Sequence, residues 1–417
     1  MTSNRLLTLE QPIKHNTLRR RVRTPKARDL PLINFAKDLY KGTPLNGVYL
    51  IGLQHIVSST YVMLQALFEK GLSKHNVSLI GKCYSTDPDV YQDMLQAGID
   101  ACPSSLVFDS QKSFDDQFKK NVKAFLTSRY EIISKFKKII ILDDGGELLS
   151  LASEVFSDTT CELIGVEQTT AGFEKVKSIN PGFPIINVAR SWAKLTYESP
   201  FIVRGAIESF FRRFSNLPIH KKLKNILIIG NGAIGSSIYT MLKDDYAVTI
   251  FDREQSKSNI QLDNFEASLK EFDLIIGCTG KKALRSDQYH LLKKGAILMS
   301  VSSSDREFDA EKLRQKTGVP LHCHQDICVD NIYLMNCGFP INFDSNYKEI
   351  DIDEFQLTRS LLLCAVLQGA TNRVDCAGFI NLNEKHQKVI VNQYLSIYPS
   401  ITENIAKPLK KRSILQR

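Results

Sequence analysis

Apolar positions along this chain come in two kinds of run. Short, nearly continuous apolar stretches of strand length alternate with longer segments whose apolar residues recur at helical spacing, a pattern that predicts βαβ units on parallel sheets. Strands are expected at 47–53, 77–80, 163–168, 184–188, 224–229, 248–252, 274–280 and 296–301, with a further one ending at Asp143. Helices are expected at 59–70, 90–97, 204–214, 238–242 and 385–395, and a long apolar one at 354–371 that returns to the first unit. The fold class is therefore α/β, with two doubly wound domains.

The strand at 224–229 runs straight into Gly230-Asn231-Gly232-Ala233-Ile234-Gly235, and a helix follows. Strand, glycine turn and helix in that order form a dinucleotide-binding fingerprint. Gly230 permits the turn, Gly232 lets backbone approach a pyrophosphate, and Gly235 lets the helix lie close to the strand. Ala233 and Ile234 place their amides at the same helix start. Asp252 ends the next strand, 22 residues after Gly230, and suits the hydroxyls of an adenosine ribose. Arg253 could instead meet a 2′-phosphate, but Asp252 would repel one, so NAD is favoured over NADP. This makes the second domain a Rossmann-type NAD-binding domain. Thr279 and Gly280 end a strand of that domain in small residues that let a nicotinamide ribose sit close.

The division expected is a basic arm at 1–30, a substrate domain at 31–215 completed by 352–395, the NAD-binding domain at 216–351 and a basic tail at 396–417. Residues 215–222 read as the hinge. The chain has 417 residues, 43% of them hydrophobic, ample for two cores. No apolar run reaches the roughly 18 residues that span a bilayer, so no membrane partner is expected and the location read is cytoplasmic. An Arg-rich, acid-poor start leaves a mitochondrial address as the second reading. Nine scattered cysteines fit reduced thiols rather than a disulfide framework. The net charge of +9 gathers at the two ends, without closely interleaved aromatics, so nucleic acid is not an expected partner.

Polar residues at the C-terminal ends of strands mark the ligand side of such sheets. His55 stands at the first of these ends, with a capping role as its plain alternative. Asp143 and Asp144 precede two glycines; one carboxyl could act as an acid or base, and at least one should cap the helix at Glu147. Gln168, Thr169 and Thr170 end the strand at 163–168, where hydroxyls and a nearby glycine suit a polyhydroxylated ligand. Lys194 and Glu198 share one face if their segment is helical, an ordinary ion pair on spacing alone. His322-Cys323-His324 with Cys328 lacks a second ligand pair at zinc spacing, and no metal is expected.

Read in order, His55, the 142–146 run, Glu167-Gln168-Thr169-Thr170-Ala171-Gly172, residues 184–188, Lys194 to Glu198, the glycine loop and Thr279-Gly280 resemble the S-adenosylhomocysteine hydrolase family over roughly residues 30–380. The resemblance implies an enzyme that holds NAD tightly, oxidises a ribose 3′-hydroxyl, eliminates a 5′-thiol, adds water and reduces the ketone. It places Lys194 and Glu198 at the 3′-hydroxyl, and His55 and Asp144 at the leaving group and water. Thr169, Thr170, Asp252, Thr279 and Asn331 fall at NAD. A homo-oligomer is implied as well.

Departures from the family cluster at the substrate. Val57 and Ser59 stand where a threonine and a glutamate meet the adenine; Gln168 replaces a glutamate near the sugar, and Ser303 a histidine. Phe339 replaces the histidine of a Gly-His-Pro turn, while Asn231 and Ala233 depart within the glycine loop. The reading is an NAD-dependent, adenosylhomocysteinase-like enzyme for a nucleoside or nucleoside thioether with altered base recognition. A non-catalytic NAD- or nucleoside-binding protein and a plain NAD-dependent dehydrogenase are the alternatives.

Overall fold

The computed structural model describes residues 30–399, except 158, 219–221, 303, 347–354 and 372–375. The basic arm (apart from its last residue), most of the basic tail, Ser303 and the middle of the expected hinge thus lie outside the described residues.

Two sheets carry the fold. The first contains β1 (Val48–Leu53), β2 (Val77–Ile80), β3 (Asp100–Ala101), β4 (Lys138–Asp143), β5 (Glu162–Glu167) and β6 (Pro184–Asn187). The second contains β7 (Asn225–Ile229), β8 (Ala247–Phe251), β9 (Leu274–Gly277), β10 (Ile297–Ser300), β11 (Ile327–Val329) and β12 (Ile332–Leu334). A last strand, β13 (Gly378–Asn381), returns to the edge of the first sheet beside β6. The first sheet has the order β13-β6-β5-β4-β1-β2-β3 and is parallel throughout. The second has the order β11-β12-β10-β9-β7-β8, parallel but for the β11–β12 hairpin.

Strands buried on both faces explain the unbroken apolar runs: β1, β2 and nearly all of β4 are fully buried. Helices cover both sides. On one face of the first sheet Pro31–Asp38, Ser58–Glu69, Gln356–Thr371 and Glu384–Ile397 pack into one core. On the other, Phe114–Ile133 and Glu147–Val155 share a core that runs on into one face of the second sheet. Helix Ser199–Phe214 closes the far face of the second sheet.

Strand order reverses direction between β1 and β4 in the first sheet and between β7 and β9 in the second. Such reversals open a crevice beyond the carboxyl ends of the strands, where ligands bind in open α/β sheets. His55 and Asp144 follow the first pair; Gly230 and Thr279 follow the second.

Three local differences from the sequence expectation have physical causes. Residues 322–325, whose alternation in sequence suits a strand, form a turn closed by the Gln325 amide on the His322 carbonyl (3.0 Å); the strand begins at Ile327, and Asp330 and Asn331, both in left-handed backbone (φ 52° and 60°), close its two-residue hairpin. β13 is a four-residue, half-exposed strand with too little apolar pattern to show. Asp87 caps helix Pro88–Gln96 by accepting from the Asp89 and Val90 amides, so that helix starts two residues before the expected one.

The two sheets are joined by more than the chain crossings. Phe339 is fully buried, stacked on Tyr84 at 4.6 Å and edge-on to Phe108 and Phe114 at 5.1 and 5.2 Å. Beside it Arg314, 0% exposed, donates to the carbonyls of Ser110 (2.9 Å), Lys112 (3.1 Å) and Cys337 (2.9 Å) and to Asp305 Oδ2 (2.6 Å). Its guanidinium ties the 108–112 loop of the first unit to the second. Arg314→Ala would strand the Asp305 carboxylate and three carbonyls in the interior. Thermal or denaturant unfolding should then show a loss of about 3–5 kcal/mol, and a loss under about 1 kcal/mol would mean that the seam does not depend on this residue.

Candidate active site

Four neighbouring strand ends converge on one carboxylate. Asp144, just past β4, is 2% exposed. Lys82, past β2, donates to Asp144 Oδ1 at 2.6 Å, and His55, past β1, sets Nε2 3.2 Å from Oδ2. Gln168, past β5, donates its amide to the same Oδ2. Burial alone would raise the Asp144 carboxyl, but the charge that His55 carries when protonated and the Lys82 charge, with a hydrogen bond from each, hold it well below the carboxylate range. Burial pulls Lys82 down, yet Asp144 holds it above its ordinary value. Both stay charged. Burial lowers His55 and outweighs Asp144, so the imidazole is neutral near pH 7. An ionised carboxylate only accepts, which puts the ring proton on Nε2 and leaves Nδ1 to accept from the Ser85 hydroxyl at 2.5 Å.

Asp143 has a different job from its neighbour. Its Oδ2 accepts from the Leu149 amide at 2.8 Å, which caps the first turn of helix Glu147–Val155, while Oδ1 has no protein partner. Glu167 stands opposite it in the β4–β5 register. Glu167 Oε1 accepts from the Thr169 amide (2.7 Å) and hydroxyl (2.8 Å), and Oε2 is unpartnered. Burial pushes Asp143 up to about 7 and pushes Glu167 well above the carboxylate range, Asp143 adding to the second. Glu167 therefore favours its protonated form, and Asp143 exchanges its proton near neutrality. Thr169, expected at a ligand, spends its hydroxyl on Glu167 and on the Gly172 amide (2.9 Å) as the cap of helix Thr170–Ile179. Thr170 is exposed at the start of that helix.

Lys194 and Glu198 make the short ion pair that their spacing predicts, with both side chains mostly buried. Thr358 donates to Glu198 Oε1 at 2.9 Å from helix Gln356–Thr371. The next residue, Arg359, is 5% exposed and reaches the His55 strand end, donating Nη1 to Gln54 Oε1 (3.2 Å) and Nε to Ser59 Oγ (3.1 Å). Burial lowers it to about 10, against the pull of Asp144 and Glu198. Helix Gln356–Thr371 thus links the Lys194–Glu198 pair to the His55–Asp144 pair. Lys82, Arg359 and Gln54 are site residues that the sequence reading missed. Arg359 had a signal, being the single charge in that apolar helix.

In the second sheet Gly230 has φ 103°, and a Cβ there would stand 3.0 Å from the Cys278 carbonyl carbon, so only glycine lets the two loops meet. A Cβ on Gly235 would run into the Gly230 carbonyl, whereas Gly232 faces open space. Helix Ala233–Leu242 begins at Gly232 with no side-chain cap, which leaves the first amides, from Ala233 and Ile234 to Gly235, for a ligand. Asp252 Oδ2 accepts from the Asn231 amide at 2.7 Å, and Oδ1 from the Glu254 amide at 2.9 Å, fixing the loop against β8. Beside it lies a cavity of about 410 Å³ lined by Phe251, Arg253, Phe265, Lys282 and Arg285. Thr279 and Gly280 are held by the buried Glu307, which accepts from both amides at 2.7 Å. An open glycine, uncapped amides and an acid beside a cavity fit a dinucleotide.

Asn331 sits apart from this cradle. Its carbonyl accepts from the Gly295 amide at 2.7 Å, just before β10, so it lies at the amino edge of the sheet, opposite the edge that carries Gly230. The hairpin turn takes it there. At the carboxyl end of β12 stands Asn336 instead, fully buried and donating to the carbonyls of Pro340 (2.9 Å) and Phe343 (3.0 Å).

Comparison with known proteins agrees with this cradle. Residues 217–310 match a family model described as "Putative NAD(P)-binding". That span carries the glycine loop and Asp252, and NAD binding belongs to this unit. The chain is 38% identical over 339 residues to the uncharacterized protein Rv0104 of Mycobacterium tuberculosis, covering 79% of this chain and 66% of that one. More distant similarity, 22% over 304 residues, links it to the S-inosyl-L-homocysteine hydrolase of Methanococcus maripaludis, over 69% of this chain and 68% of that one. The adenosylhomocysteinase of Acinetobacter baylyi is 24% identical over 328 residues, 71% of this chain and 66% of that one. The chain thus spans about two thirds of the length of these relatives. Among the described residues no helix is long and apolar enough to cross a membrane.

The raised Asp143 carboxyl has a consequence for stability. A folded-state value above the unfolded one means that the native state binds the extra proton, so the stability it gives is present below the ordinary carboxyl range and is lost as pH rises toward about 7. Asp143→Asn keeps an acceptor for the Leu149 amide and cannot ionise. Its melting temperature should match the wild type at about pH 3.5, below the ordinary carboxyl value, and exceed it at about pH 8. A variant less stable at both values would show that Asp143 is ionised in the native state.

Proposed function

We propose that this chain is an NAD-dependent enzyme that acts on a nucleoside or a related sugar by transient oxidation of a ribose hydroxyl, its cofactor retained through the cycle. One observation carries the reading. Two buried acid–base pairs, Lys194–Glu198 and His55–Asp144, are joined through Thr358, Arg359 and Gln54 at the carboxyl edge of one sheet, and the His55 ring lies 4.5 Å from Phe343 of the NAD-binding side. The distant likeness to hydrolases named for S-inosyl- and adenosylhomocysteine supports the substrate class.

In this reading Lys194 passes its ammonium proton to Glu198 and, as the free amine, takes the proton of the hydroxyl that is oxidised. Glu198 holds the lysine in reach, and Thr358 fixes Glu198 from the opposite helix. NAD, when bound, supplies the hydride acceptor. A ketone beside a C–H bond acidifies that bond, and loss of its proton expels a substituent on the next carbon. His55 then moves a proton at the departing atom or at the entering water, while Lys82 keeps Asp144 ionised to orient the imidazole. Both ring nitrogens are engaged at rest, so the Ser85 bond opens before Nδ1 reaches a substrate.

A nucleoside panel added to the purified NAD-loaded protein should raise the absorbance of reduced nicotinamide, which then stays with the protein. Lys194→Ala should slow that rise by about 100-fold or more with NAD content unchanged. No rise with any nucleoside or sugar would overturn the reading, and stoichiometric release of reduced cofactor would replace it with a plain dehydrogenase. An unaffected Lys194→Ala protein would remove Lys194 from its role.

A further inference from the structure

Arg359 is a buried guanidinium without a counter-charge. No carboxylate lies within ion-pair distance of it among the described residues, while the nearby acids are taken: Asp144 by Lys82 and His55, Glu198 by Lys194. The hydrogen bonds it does make, to Gln54 Oε1 and Ser59 Oγ, are to neutral groups, and Nη2 has no protein acceptor there. A buried charge left in this state destabilises the fold.

Asp144 and Glu198 favour the charge from a distance, but two helix ends beside it add to the cost. Ser59 is the second residue of helix Ser58–Glu69, whose amino end has no side-chain cap, so the guanidinium rests on the positive end of a helix dipole. It also occupies the first turn of Gln356–Thr371, the positive end of a second helix as far as that helix is described. Gln54, fully buried, must present Oε1 to the arginine because a guanidinium only donates; this turns Nε2 away, and Nε2 has no partner. Gln54 Nε2 and the first amides of helix Ser58–Glu69 are thus unused donors beside the guanidinium. Gln54 itself is the neighbour of His55, and Thr358 that of Arg359, so the donors lie between the two acid–base pairs.

We propose that Arg359, Gln54 and the amino end of helix Ser58–Glu69 form an anion subsite, so that the substrate is a hydroxylated compound bearing a carboxylate or phosphate monoester where a neutral base would otherwise lie. The subsite stands on the arginine, the amide and the helix; the hydroxylated substrate rests on the oxidation reading above. Ser59 is the position that the family resemblance puts at the base. Here its hydroxyl carries the guanidinium, and no carboxylate replaces it to receive an exocyclic amine. The anion completes the fork of Arg359 and accepts from Gln54 Nε2 and the first helix amides, a set that suits the three terminal oxygens of a phosphate monoester or the two of a carboxylate.

The test uses the NAD-loaded full chain and two readouts. In the first, inorganic phosphate, acetate and chloride are titrated while thermal unfolding is followed. Phosphate or acetate should stabilise the wild type saturably at matched ionic strength, chloride should not, and Arg359→Met should lose the effect. Arg359→Met should itself melt at or above the wild-type temperature, since an apolar side chain of similar length replaces an uncompensated charge. A variant that melts well below the wild type would make Arg359 structural, and equal phosphate and acetate effects in both proteins would overturn the subsite. In the second, reduced nicotinamide is followed after adding D-ribose, adenosine, D-ribonate or D-ribose 1-phosphate. The anionic pair should outperform the neutral pair, ribonate leading if the subsite takes carboxylate and ribose 1-phosphate if it takes phosphate, and Arg359→Met should raise the KM for the better one by about 100-fold. Neutral compounds reacting equally well in both proteins would refute the anion subsite and keep the oxidation reading. Saturable, Arg359-dependent stabilisation by phosphate or acetate without any reduction of the nicotinamide would keep the subsite and refute the oxidation.

Discussion

The Asp144 carboxylate is the interaction on which the first half of this molecule is organised. It is buried, and a buried carboxylate is tolerable only when charge and hydrogen bonds repay its desolvation. Lys82, His55 and Gln168 do so from three other strand ends, so β1, β2, β4 and β5 are registered at their carboxyl edge by one ion. The strand order makes this possible. Because direction reverses between β1 and β4, the chain leaves His55 for a helix on one face of the sheet and Asp144 for a helix on the other, so the two side chains meet at the edge between them.

The second constraint is the seam. Phe339 and Arg314 join the sheets through an apolar stack and a set of buried donors, and Phe343 extends that contact to the His55 ring. Apolar contact at this point replaces a polar side chain that the family resemblance would have put there. A site of this kind excludes water from its two acid–base pairs, which strengthens every charge interaction inside it.

Much of this was legible in the chain. Continuous apolar runs announced parallel strands, and the glycine spacing with Asp252 announced the cradle. Polar strand ends pointed at His55 and Asp144. The spacing of four anticipated the Lys194–Glu198 pair. What stayed hidden depends on contacts between distant segments. Thr169 reads as a ligand hydroxyl until Glu167 is seen to claim it, and Asp143 and Asp144 look alike until one turns to the Leu149 amide and the other to Lys82. Asn331 was misplaced because the turn of a short hairpin carries it to the opposite edge. Lys82 gave no local pattern, since its partner lies 62 residues away in sequence, and Arg359 showed only as the single charge of an apolar helix, its partner 305 residues away.

The central claim is that a substrate hydroxyl is oxidised and restored at one closed site, with the neighbouring C–H bond opened in between. Its most direct test is deuterium exchange: the NAD-loaded protein is incubated in deuterated water with a compound that reduces its nicotinamide, and the recovered compound is examined by mass spectrometry. Deuterium should enter at the carbon next to the oxidised one, and only when NAD is bound. Reduction of the nicotinamide with no deuterium in the recovered compound would contradict the account.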